Sequence, residues 1–237
     1  MSKRKIVCMC ENEFEIDYPD FIDLNKNPEI EEQILSGNFI TAICPVCGKE
    51  LKPEFPFQIT DEKRDINCFF IPELDRGAYF LGKLEYPVGT PKRVAIGFRE
   101  LVEKINIMRN KLDDRTIEIL KFYLFHKAVS EKEDNNPSII FKGLENRNLI
   151  FHITGLADDR LAKKELADEK LAVDKHTNEE HSNDKPKQKG VAVTRIAFET
   201  YTKAKNNLDK GKIEGIIKKI ITPPYVSMNK LEWEKSF

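Results

Sequence analysis

The chain has 237 residues, 39 Lys/Arg against 40 Asp/Glu, and an apolar fraction of 40%. That is enough for one sizeable domain or two small ones of ordinary soluble composition. No apolar run reaches the length of a membrane span, and the basic start Met1-Ser2-Lys3-Arg4-Lys5 is followed only by Ile6 and Val7 before cysteine and acidic residues. A membrane protein and a secretory h-region are thereby excluded, and a cytoplasmic location is expected, where thiols stay reduced.

Phe14, Ile16 and Tyr18 alternate with Glu13, Glu15 and Asp17, the pattern of a half-buried strand. With Arg4 to Val7 this predicts a β-hairpin whose tip carries Cys8-Met9-Cys10. Asn27 to Gly37 reads as a helix, with Asn27 as N-cap, Pro28 at the first helical position, acidic residues in the first turn and Gly37 as the stop. Phe39 to Ile43 leads as a strand into Cys44-Pro45-Val46-Cys47-Gly48. Phe55 to Ile59 and Ile66 to Ile71 follow as strands, and Ala78 to Leu84 as a last short one.

After Pro91 the period changes. Phe98, Leu101, Val102, Ile105, Met108 and Leu112 recur at helical spacing, and a second helix capped by Asp113 or Asp114 carries Ile117, Leu120, Leu124 and Ala128. The short joint predicts an antiparallel pair. Ser138 to Phe141 and Leu149 to Thr154 read as two strands joined near Glu145 to Asn148. Residues 157 to 189, with 8 basic and 9 acidic residues and few large apolar ones, read as a polar insertion: an exposed helix, then a mobile loop. A strand at Val191 to Ile196 and a helix at Ala197 to Leu208 close the chain, with Tyr225, Val226, Leu231 and Trp233 expected on that C-terminal core. The domains read as 1–90, 91–130 and 131–237.

Two close pairs of thiols, far apart in sequence, are what a tetrahedral Cys₄ site requires. Cys8, Cys10, Cys44 and Cys47 are therefore the candidate metal ligands, with Pro45 and Gly48 suited to the tight turn of the second pair. Zinc is the expected ion and iron the alternative; the other readings are metal-free core thiols and a redox or iron–sulfur role. Four cysteines leave no open coordination position, so catalytic zinc is not expected. Cys68 reads as a core thiol.

The four histidines form no metal pattern. His126 and His152 read as packing or surface residues, His176 and His181 as solvated ones. Asp113 and Asp114 are explained by capping, and Glu103 and Glu118 are expected to be solvated. Tyr18, Phe39, Phe55 and Phe57 could stack on bases but are better explained as core. No phosphate-loop, dinucleotide, zincin or nucleophile-elbow motif is present, and no catalytic residue is assigned.

Cys8-x-Cys10, the helix bearing Asn27-Pro28-Glu29-Ile30, Gly37 and Cys44-Pro45-x-Cys47-Gly48 resemble the bacterial CpXC domain family, named for its cysteine motif. The resemblance runs from about residue 5 to 130, through Glu100-Leu101-Val102-Glu103-Lys104-Ile105 and Leu112 to Glu118. It implies a metal-binding N-terminal domain and no activity.

The expected fold is α+β: a zinc-ribbon-like N-terminal domain with an inserted helix, a helical connector and a small α/β C-terminal unit. Residues 1 to 90 hold 10 Lys/Arg and 17 Asp/Glu, and residues 191 to 237 hold 9 and 5. An acidic zinc domain matches a phosphate backbone poorly, so the expected partner is a protein. The alternative is a nucleic-acid-associated protein using Lys203, Lys205, Lys210, Lys212, Lys218 and Lys219.

Overall fold

A computed structural model describes residues 2–85, 90–131, 136–156 and 190–231. The polar insertion at 157–189, its two histidines and Trp233 lie outside the described residues. The fold is mixed α+β, in two compact units: residues 1–111 with 222–226, and residues 112–221 with 227–237.

The first unit opens with β1 (Ser2–Val7) and β2 (Glu13–Tyr18), paired antiparallel with Val7 opposite Glu13 at the tip. β3 (Phe21–Asp23) then leads to α1 (Glu29–Leu35). The helix starts one residue later than the Asn27 cap requires. Pro28 occupies the cap without a side-chain bond, and the Asn27 amide donates to the Asp23 carbonyl. Gly37 ends it with φ +73°, where a Cβ would be strained.

β4 (Ala42–Ile43) and β5 (Glu50–Leu51) form a second short hairpin. β6 (Phe57–Asp61) and β7 (Ile66–Ile71) follow. Ala78 to Leu84, expected as a strand, instead contributes to α2 (Arg76–Phe80), which follows a 3₁₀ turn at Glu73–Asp75. β8 (Arg93–Ile96) and α3 (Gly97–Arg109) complete the series.

The main sheet has the order β3-β6-β7-β8, with β6 and β7 antiparallel and both outer pairs parallel. Period-2 alternation sends Ile22, Phe57, Ile59, Cys68, Phe70 and Ala95 to one face. There they pack against Ile34 of α1 and Leu101 and Ile105 of α3. Cys68 is fully buried in this core, as are Tyr18 and Phe57, so these rings are not a stacking surface. Phe69, Ile71, Val94 and Ile96 point to the other face, under Tyr79 and Phe80 of α2 and under Tyr225.

Tyr225 and Val226 thus belong to the first unit, not to the C-terminal core expected of them. The Tyr225 hydroxyl donates to Glu100 Oε1 at 2.7 Å and accepts from Arg76 at 2.8 Å, and Pro224 O accepts the Val94 N–H. Glu103, expected in solvent, is buried on α3.

The second unit begins with α4 (Asp114–Glu131), where Asp113 caps the helix by accepting the Arg115 N–H. The two long helices anticipated as a pair are divided between the units. β9 (Ser138–Glu145), β10 (Asn148–Thr154) and β11 (Ala192–Ala197) form an antiparallel sheet in the order β11-β10-β9. Asn146 and Arg147, both at positive φ, make the two-residue turn between the first two strands.

α5 (Phe198–Asp209) and α6 (Gly215–Ile220) complete the unit. Their apolar residues Leu208, Ile217 and Ile220 pack with Ile119 and Phe122 of α4 and with Leu231. Glu118 is buried rather than solvated: it accepts from Lys121 at 3.0 Å and from the Met228 N–H at 2.9 Å. No described helix is long and apolar enough to cross a membrane.

Candidate metal centre

Each cysteine pair sits on a hairpin tip whose backbone is closed by two hydrogen bonds. In the first, Cys8 N–H donates to Asn12 O and Glu11 N–H to Cys8 O. In the second, Cys44 N–H donates to Lys49 O and Gly48 N–H to Cys44 O. The residue after the second cysteine is left-handed in both: Glu11 at φ +66° and Gly48 at φ +71°. Glycine takes that conformation freely and glutamate does not. The second tip therefore carried the clearer signal in sequence. The first closes its turn around a spacing one residue shorter.

The two tips bring all four sulfurs within 4.8 Å of one another. Two contacts cross between knuckles, Cys8 to Cys47 at 3.5 Å and Cys10 to Cys44 at 3.6 Å. Four sulfurs placed tetrahedrally at ~2.3 Å from a common centre lie ~3.8 Å apart. A disulfide would bring a pair to ~2.05 Å, and all five cysteines are free thiols. The donor set thus fits a tetrahedral, thiophilic cation, and the cluster could hold a metal ion. Cys8 and Cys44 are buried while Cys10 and Cys47 are exposed, so the site lies at the surface with one sulfur of each knuckle facing inward.

The electrostatics of the sulfurs show what a cation would resolve. The Cys44 thiol is held down to about 6, first by the Cys47 backbone N–H and further by that of Val46, against burial. Cys47 moves the other way, up to about 12. The Lys49 N–H favours its thiolate, but the sulfurs of Cys8 and Cys10, with burial, outweigh it. Negative charge therefore collects on Cys44 rather than on Cys47, because adjacent thiolates repel. A bound dication would favour the thiolate at each sulfur that ligates it.

Two supporting residues complete the surroundings. Asn12 Nδ2 lies 3.8 Å from Cys44 Sγ, an orienting contact of the kind that tunes a metal ligand. It went unnoticed in the sequence, where only its place two residues past Cys10 could have flagged it. The Lys49 side chain of the second tip reaches Met9 on the first. Lys5 stands opposite Glu15 in the β1–β2 ladder.

The remaining candidates do not converge here. His126 is exposed on α4 against Phe122, and His152 is half-buried in β10, where burial and then Lys142 lower its pKa. Lys205 is paired with Asp209 and Asp113.

A family model described as CpXC protein matches residues 6–121, a span that contains all four cysteines and ends within α4. An uncharacterised protein of Treponema pallidum (strain Nichols) is 22% identical over 180 residues, covering 65% of this chain and 79% of the relative. No solved structure matches.

Proposed function

We propose, from a chain that carries a CpXC-family segment over residues 6–121, that its four cysteines hold a structural zinc ion and that the fastened knuckles form the docking tip of a cytoplasmic protein-interaction module. Zinc fits the all-sulfur donor set, and four protein ligands leave no position for water or substrate. Iron takes the same ligands and is the alternative occupant. The ion supplies positive charge and cross-links the two tips. A reducing compartment keeps such thiols available.

The observation that carries the interaction reading is the character of the tips. Val7 and Ile43, each directly before the first cysteine of its knuckle, are 64% and 67% exposed. Met9 and Val46, each directly before the second, are 82% and 70% exposed. Apolar side chains at the same two positions of both knuckles face water, where a tip serving only as a turn gains nothing from them. The surrounding net charge is negative, with 17 Asp/Glu against 10 Lys/Arg over residues 1 to 90, and a tetrathiolate zinc adds about two further negative charges. The partner chemistry that fits is a basic protein segment with apolar side chains, and a phosphate backbone is disfavoured.

Elemental analysis of protein purified without added metal tests the first half, with one zinc per chain expected. Neither zinc nor iron, with four freely titrating thiols in the folded protein, refutes it. Affinity isolation from the host in the presence of nucleases tests the second half. A stoichiometric protein captured by the natural chain and lost with Val46→Glu supports the docking tip. Salt-sensitive nucleic acid capture that Val46→Glu leaves unchanged moves the assignment to the nucleic-acid reading.

A further inference from the structure

The second face of the main sheet is covered only in part. Over β7 and β8 it lies beneath α2 and Tyr225. Among the described residues the cover ends towards β3 and β6, and a cleft of about 570 Å³ opens, floored by Phe21, Gln58, Phe69 and Ile71. Its volume falls in the range of small-molecule sites, and its lining is mainly apolar with a few polar groups, as such sites require.

Those polar groups are specific. Gln58 is only 4% exposed, yet its Oε1 has no hydrogen-bond partner among the described residues. The orientation of the amide is set by Nε2, which donates to Asn67 Oδ1 at 2.8 Å, so the acceptor end is the one left over. Arg4, which also lines the cleft, has a buried Nε–H without a partner. Asp20 brings the two residues together: its carboxylate accepts from Arg4 Nη2 at 2.7 Å, and its carbonyl accepts the Gln58 N–H at 3.0 Å. An unpaired buried acceptor and an unpaired buried donor each cost stability. Native structures hold few such atoms, and these two belong to residues that line one cleft.

The charges restrict what binds. Asp20 already neutralises the Arg4 guanidinium, and Asp75 and Glu85 are the other ionisable groups of the lining. A phosphate or carboxylate ligand would find no free cation and two carboxylates. A neutral group carrying both an N–H and a C=O answers both unpaired atoms. The geometry points to a binding cleft for a small, uncharged ligand with an aromatic or apolar body and a carboxamide or lactam edge. Its N–H donates to Gln58 Oε1, its C=O accepts from Arg4 Nε–H, and its body packs on Phe21 and Phe69.

Benzamide is the minimal probe. Titrated into the ¹⁵N-labelled full-length protein, it should shift the backbone amides around Phe21, Gln58 and Phe69 and saturate in the millimolar range. Benzoate and benzylamine, of similar size but charged, should bind about tenfold more weakly or not at all. Gln58→Met keeps the volume and removes the acceptor, so binding should weaken about tenfold. Phe21 is 54% exposed, so Phe21→Ala leaves the core intact and should weaken binding by removing the stacking surface. Absence of benzamide shifts overturns the assignment. So does equal binding of benzoate or benzylamine, or unchanged affinity in either variant with the spectrum otherwise preserved.

Discussion

Removing the metal should melt the two knuckle tips and leave the main sheet standing. The tips, Cys8–Asn12 and Cys44–Lys49, comprise five and six residues. Holding them in one conformation costs about 11 kcal/mol at ~1 kcal/mol per residue. Their four closing backbone hydrogen bonds return about 4 kcal/mol at ~1 kcal/mol each. Met9 and Val46 are exposed, so burial adds little. The shortfall of about 7 kcal/mol is within the ~10 kcal/mol that a structural zinc ion contributes in small domains. The core formed by Phe57, Ile59, Cys68, Phe70, Leu101 and Ile105 lies on the sheet and contains none of the four clustered cysteines. The assay is hydrogen exchange read by mass spectrometry, with and without a zinc chelator. Amides of 8–12 and 44–49 should lose protection on chelation while those of β6 and β7 keep theirs. Tips that stay protected without metal would refute the reasoning, as would loss of the whole unit in one transition.

Cys44→Ser should abolish metal retention, whereas Cys68→Ser should retain one metal per chain and cost about 1–2 kcal/mol, as a polar atom enters the core; metal content and urea unfolding measured together check both. Tyr225→Phe removes the hydroxyl that joins Glu100 to Arg76 and should cost about 2 kcal/mol, against less than about 0.5 kcal/mol for Tyr123→Phe at an exposed position. Asp113 is held below the usual carboxylate range: burial raises its pKa, and hydrogen bonds and charge from Arg115 more than reverse this. Its stabilisation is therefore present above the unfolded value near ~3.9 and is lost as pH falls through the lower folded value. Asp113→Asn, which keeps the cap acceptor, should cost about 1 kcal/mol at pH 7 after solvent screening, and the gap to the natural chain should close below pH ~3 in thermal melts.

Elements whose pattern is local were legible in the sequence. β2 alternates cleanly, β7 is apolar at every position but Asn67, and the turn at Asn146 and Arg147 sits between two strands of matched pattern. Misreadings arose where a partner elsewhere in the chain decides. Ala78 to Leu84 carries enough apolar residues for a strand, but α2 forms because Tyr79 and Phe80 close over Tyr225, more than a hundred residues away. Glu103 and Glu118 read as solvated because their helices look amphipathic. Glu118 is buried because the Met228 N–H and Lys121 satisfy its carboxylate, and no local pattern announces such a partner.

The sequence by itself determined the candidate ligand set and its chemistry: four cysteines in two close pairs, the first on a hairpin tip, in a chain of balanced charge with an acidic first third. Those properties depend on residue type and on spacing along a few residues, which local physics governs. Tertiary structure alone decided that the sulfurs meet within 4.8 Å, that Met9 and Val46 face water beside them, and that Gln58 and Arg4 converge on a cleft. Each of these joins segments tens of residues apart through sheet register and helix packing, and that register is set by the burial of whole faces rather than by any short stretch of chain.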